Sequence, residues 1–198
     1  MSIRSADPSI VKAIRQRVLL NEWLRQHATA GGLPALQRYN PSDFEEEKRD
    51  MLMYDVADAS ASPRLVITFD GQRLSQAYNT VGKGRALQDV MGPKRAAVIL
   101  PIYYACVRSH RPIYSVCAAT DVNGTKVDFE RLLLPFGTDN RVTSIIASLK
   151  TISVEGSFEQ KQLLRTDEAP VFSLIATIDT NLALQRPIKV AADDIVAI

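Results

Sequence analysis

The chain has 198 residues, of which 46% are hydrophobic and 23% charged, and its formal charge is only +2. This is ordinary composition for one globular domain with a sizeable core, and it excludes a disordered or fibrous polymer. The near balance of charge leaves no basic footprint for nucleic acid.

In chain order, Asp7-Pro8 is a helix start, because aspartate caps free amides and proline fits the first helical position. The helix is predicted to run to the stop at Gly31-Gly32. Its apolar residues form two stripes. Ile10, Val11, Ile14 and Val18 share one face, while Leu19, Leu20, Trp23 and Leu24 lie nearly opposite. Either the helix breaks midway, or its halves meet different partners, one of which is a second subunit. The interface set predicted from this helix is Ile14, Val18, Leu20, Trp23 and Leu24, and it implies a homodimer.

"NPSDFEEEKRDM" follows as a short acidic helical turn capped by Ser42 or Asp43. "MLMYDVAD" and "RLVITFDG" read as two strands separated by the turn-rich "ASASP". "QRLSQAYNTVGKGRALQDVMG" has helical spacing in short pieces. "PKRAAVILPIYYACVRSHR" is the central helix, in which Pro101 is expected to kink the backbone or remove a hydrogen bond. "PIYSVCAATD" and "TKVDFERLLLPFG" flank the hairpin signal Asn123-Gly124, and "RVTSIIASLKTI" is a further strand. Tight turns between the last three strands predict a mainly antiparallel sheet and an α+β order.

From about Ser153 the character changes. "EGSFEQKQLLRTDEAP" is polar and part helical, and "VFSLIATID" and "IKV" read as short strands. The chain therefore divides into a helical and capping segment (1–50), a core (51–152) and an extension (153–198) that is a subdomain, a dimer arm or an addition to the sheet.

Two cysteines, Cys106 and Cys117, are too few for a disulfide framework and lack zinc spacing. A reduced, cytoplasmic setting is expected, with both thiols packed as small buried hydrophobes. "MSIRSADPSIVKAIRQR" lacks the basic-then-apolar pattern of a signal peptide. The longest apolar run spans about 12 residues, short of the roughly 20 that cross a bilayer, so a soluble protein without membrane partners is expected.

Gly82-Lys83-Gly84 raises the possibility of a phosphate cradle. A P-loop needs G-x-x-x-x-G-K-[ST], but Lys83 is followed by Gly84 and position 77 is not glycine. A dinucleotide fingerprint would need glycine where Leu87 stands. The glycines are better read as a sharp backbone turn between two short helices, with Lys83 and Arg85 as solvated charges.

The frame around that loop carries a resemblance. "VGKGRALQDVMGP", a long helix, "RSHRPIYSV", the strand "DFERLLLPF" and "VTSIIASLKTI" resemble the PAS domain pattern. More narrowly, "EWLRQ", "GLPALQRYNPSDF" and "MLMYDV" resemble a family of bacterial stand-alone PAS-like proteins, over about residues 20 to 152. The resemblance implies a five-stranded antiparallel sheet with short helices on one face, an N-terminal helix, a C-terminal extension and a small central cavity. The lining it implies is Ile67, Phe69, Leu74, Leu87, Ile99, Tyr103, Tyr114, Leu132 and Leu134. The alternative at the same positions is a filled core. Tyr103 and Tyr114 are the expected polar contacts, because a buried hydroxyl needs a partner.

PAS modules carry haem, flavin, small metabolites or nothing, so the cofactor stays open. The photoactive flavin type needs an asparagine and a cysteine in the stretch matching 82 to 89, and no cysteine stands there. His110 is the one nearby candidate for a haem ligand, but it lies between two arginines at a helix end. His27 is expected to meet carbonyls at the end of the first helix. Asp128 and Glu130 share one face of a strand and admit acid–base work, against ion pairing with Lys126 or Arg131. With no nucleophile–base pair in view, the expected function is non-enzymatic: a PAS-type sensory or adaptor protein acting through protein contacts, modulated by a small molecule. The alternatives are a haem- or flavin-loaded redox sensor and a ligand-free structural interaction module.

Overall fold

In a computed structural model of the chain, residues 3–57, 62–79, 81–121, 123–153, 156–158 and 169–181 are described. Asp7 opens the fold as expected, its carboxylate accepting from the Ser9 amide at 2.8 Å over a single 3-10 turn, Pro8–Ile10. The backbone then extends through Val11 and Ala13 before α1, Ile14–Ala30, begins. The two apolar stripes are thus resolved by a break at 11–13. Gly31 ends α1 in the left-handed conformation (φ 67°) that glycine adopts without a Cβ penalty.

Seven strands form one sheet: β1 (Arg4–Ala6), β2 (Met51–Val56), β3 (Leu65–Asp70), β4 (Ile113–Thr120), β5 (Lys126–Thr138), β6 (Arg141–Ser153) and β7 (Val171–Ile178). Their order is β1-β7-β4-β5-β6-β2-β3, with β1 and β7 parallel and every other neighbouring pair antiparallel. This corrects the expected five-stranded antiparallel sheet. β7 pairs with β4 and β1 with β7, so both ends of the chain widen the sheet beyond five strands and add one parallel pair. "VFSLIATID" is therefore an addition to the sheet, while "IKV" lies outside the described residues.

Helices on one face only is the second correction. Alternation along the strands sends Tyr54, Ile67, Phe129, Leu133, Ile145 and Ala147 towards α3 (Gln72–Tyr78), α4 (Leu87–Val90) and α5 (Pro93–Ser109). Their neighbours Met51, Tyr114, Leu132, Leu134, Phe136 and Ile146 face the other way and pack under α1. The central strands need apolar residues on both faces, as in "RLLLPF", because both faces are covered. α5 runs continuously through Pro101, whose side is exposed.

The Gly82–Gly84 loop closes the outer edge of β3. The Gly84 amide donates to the Ile67 carbonyl at 2.8 Å, and the Ile67 amide to the Arg85 carbonyl at 3.0 Å. The Gly82 amide is held by the Asp70 carboxylate at 2.5 Å. These donors are committed to the chain's own edge strand, and Gly84 alone of the pair has a positive φ (82°). The loop finishes a sheet rather than presenting amides to an anion.

The acidic turn after α1, α2 (Phe44–Glu47) followed by Lys48–Asp50, is bound by charge. Lys150 of β6 reaches Glu47 and Asp50 at 2.7 Å each, and Arg73 reaches Asp50 at 2.9 Å. Asp43 does not cap α2. It adopts φ 57° and spends its carboxylate on Arg15 of α1 at 2.7 Å.

Candidate functional site

α1 lies across the sheet face that an interface would have used. Leu19, Leu20, Trp23 and Leu24 are buried beneath it, with Ile14 turned outward at 70% exposure. Of the predicted interface residues, Leu20, Trp23 and Leu24 are therefore spent on the chain's own sheet, Val18 is half-buried, and Ile14 faces solvent.

Polar contacts fix α1 at several points. Trp23 donates from Nε1 to the Pro135 carbonyl at 2.7 Å and stacks on His27, centroids 4.9 Å apart. His27 donates from Nδ1 to the carbonyl of Gly32, just past the helix end, at 2.6 Å. The Tyr39 hydroxyl donates to the Leu19 carbonyl at 2.8 Å. At the first turn, Gln16 is fully buried and its Nε2 donates to the carbonyls of Ser148 (3.0 Å) and Glu130 (3.5 Å).

Glu130 lies below Gln16 and is 1% exposed. Asp128 shares its face, as the spacing predicts, but is exposed; Arg131 points to the opposite face, over the Tyr103 ring. The expected ion pair of Glu130 with Arg131 is thus replaced by a hydrogen bond from the Tyr114 hydroxyl. Burial, first, and then the Glu130 and Asp128 charges raise the Tyr114 pKa, while the Lys12 amide on its hydroxyl opposes this. The resulting seam joins a helix and three strands through Gln16, Tyr114, Glu130 and Ser148.

The nine predicted lining residues do not enclose one space. Ile67, Leu74, Leu87, Ile99 and Tyr103 meet on the α5 side, at most 2% exposed. Phe69 is half-buried near the edge, and Tyr114, Leu132 and Leu134 lie across the sheet under α1. On the α5 side the Tyr54 and Tyr103 hydroxyls stand 3.3 Å apart, and Arg95 and Arg131 are both buried, each engaged within the fold. His110 closes α5 with φ 56°, its amide donating to the Cys106 carbonyl at 3.1 Å. Among the described residues no three of His, Cys, Asp and Glu cluster as metal ligands, and no helix is long and apolar enough to cross a membrane.

Both thiols are buried. Burial pushes the Cys106 thiol far above its ordinary value; it also raises Cys117, against the opposing pull of Arg131 and Arg95. We expect neither to react with a thiol reagent at pH 8 in the native protein, and both to react in denaturant. The raised pKa has a second consequence. Unfolded thiols ionise near pH 9 while folded ones stay protonated, so stability holds below that pH and falls as the pH rises through it. A chevron or urea midpoint series from pH 7 to 10 reads this directly.

Clefts open along both sides of α1. One, about 530 Å³, lies between Asn21, Leu24, Arg25 and Ala28 of the helix and Thr180 and Asn181 after β7. Another, about 510 Å³, lies between Arg25, Gln26 and Thr29 and the segment Leu33–Ala35 with the β5–β6 turn at Gly137–Asp139. Sequence reading missed Gln16 and the seam below it. The available signal was a glutamine at the head of an i, i+3, i+4, i+7, i+8 series otherwise made of Leu19, Leu20, Trp23 and Leu24. No protein-family model matches the chain, and no curated protein matches it significantly.

Proposed function

We propose that the chain is a non-enzymatic sensory or adaptor protein of the PAS type, acting in the cytoplasm through protein contacts, with α1 as the element whose seating changes. The motif order supports the class, although the sheet carries two more strands than that family's. The observation that carries the mechanism is the polar seam beneath α1. A dry apolar helix seat would be hard to leave. Here Gln16 and Glu130 sit within the seat, and lifting α1 returns their polar groups to water, which lowers the cost of the released state.

Release would also uncover Leu20, Trp23 and Leu24, an apolar stripe that needs a new partner: a second copy or another protein. Self-association through these residues is then a property of the released state. A modulator seated in a cleft beside α1 touches both the helix and the fixed sheet framework, so it favours one seating over the other.

Light scattering and native mass spectrometry test this. Wild type is expected chiefly at its monomer mass of 21.9 kDa. Tyr39→Phe removes the hydrogen bond to Leu19, worth about 1 kcal/mol, and should raise the released, self-associating population about fivefold. Identical mass distributions at every concentration would contradict the mechanism. A Soret or flavin band in the fresh protein would replace it with a redox sensor.

A further inference from the structure

We propose that one water molecule is built into the seam between α1 and the sheet, held by Glu130, Gln16 and Ser148. Three buried side-chain atoms there lack a hydrogen-bond partner: Glu130 Oε2, Gln16 Oε1 and Ser148 Oγ, on residues no more than 1% exposed. Register brings them together. Glu130 pairs with Lys150 and Leu132 with Ser148, so Glu130 and Ser148 are diagonal neighbours on the face under α1. Gln16 lies over both, since its Nε2 donates to the carbonyl of each.

The chemistry selects the occupant. Two of the three atoms only accept, and the serine hydroxyl can donate. A water donating to Glu130 Oε2 and Gln16 Oε1 while accepting from Ser148 Oγ satisfies all three, and about three bonds is the usual number for an interior water. A small cation would also suit two acceptors, but this site lies at the first turn of α1. There the free amides and helix dipole already supply positive potential to the carboxylate. The Tyr114 hydroxyl donates to the same carboxylate, which reduces its need for a metal.

The water makes the seat of α1 a wet joint, one that can open without stranding a charge in an apolar gap. The inference stands on the seam's geometry and does not depend on the functional reading.

A crystal structure of the wild-type protein at high resolution is the direct test. Density at hydrogen-bond distance, about 2.7–3.0 Å, from the three named oxygens is expected. Oxygen-17 relaxation dispersion in solution should count one fewer long-lived interior water in Ser148→Ala than in wild type. Thermal midpoints in sodium, potassium and choline chloride at equal ionic strength should coincide. Empty density at that point, an unchanged water count in the variant, or a midpoint that depends on the cation and loses that dependence in Glu130→Gln, would each overturn the proposal.

Discussion

Trp23→Ala should lower the unfolding free energy by about 3–5 kcal/mol, read as a fall in the urea midpoint. The indole is fully buried between α1 and the sheet, so the change leaves a large cavity. It also removes the donor to the Pro135 carbonyl and the ring on which His27 stacks. An acceptor buried beneath a helix and left without its donor adds to the loss. Against a total stability of about 5–15 kcal/mol, one substitution removes a large share. A change under 1 kcal/mol would mean that α1 does not sit on this face.

Gly137→Ala should cost more, over about 4 kcal/mol, and is expected to prevent recovery of folded protein. Gly137 sits where the β5–β6 pairing shifts register, between Phe136 and Gly137, as β5 enters its turn to β6. A Cβ there would land on the carbonyl oxygen of Arg141 and crowd the Val142 Cα at 3.1 Å. Both are backbone atoms of the paired strand, so no side chain can swing aside. The Gly137 amide also donates to the Pro34 carbonyl at 3.0 Å, tying the hairpin to the segment after α1. Gly84→Ala is the control: its added methyl meets nothing within 4 Å, and only the positive φ is penalised, at about 1 kcal/mol. Circular dichroism and denaturant midpoints for the two variants, side by side, separate close packing from backbone preference.

The elements were legible where local signals were strong. Asp7-Pro8, Gly31 and the Asn123-Gly124 turn each mark a boundary that the backbone respects, and the strand reading of 113–152 follows from alternation and turn chemistry. The number of strands was not legible, because β1 has three residues and β7 pairs with β4 across a separation of more than 50 positions. Nothing local in "VFSLIATID" says whether it joins that sheet or another. The burial of both faces was present in the sequence as "RLLLPF", a run without alternation, yet the resemblance to a sheet covered on one face overrode it. The interface residues failed for a related reason. A helix stripe of leucines and a tryptophan states that something must cover it, and its own sheet and a second subunit satisfy that demand equally well.

The seam was the least legible part. Glu130 was visible as one of two carboxylates on a strand face, but only tertiary contact distinguishes it from Asp128. Asp128 stays exposed near the strand's start, while Glu130 lies under the first turn of α1. Arg131, one residue on, crosses to the other face and leaves the carboxylate to Tyr114 and Gln16.

Native-state hydrogen exchange read by mass spectrometry tests the central claim that α1 is seated on the sheet and can leave it alone. Peptides within 14–30 should open with a free energy well below that of the β5–β6 hairpin, and Tyr39→Phe should speed their exchange while leaving the hairpin unchanged. If helix and hairpin exchange together through one global opening, in wild type and variant alike, α1 is a fixed part of the core and the account is wrong.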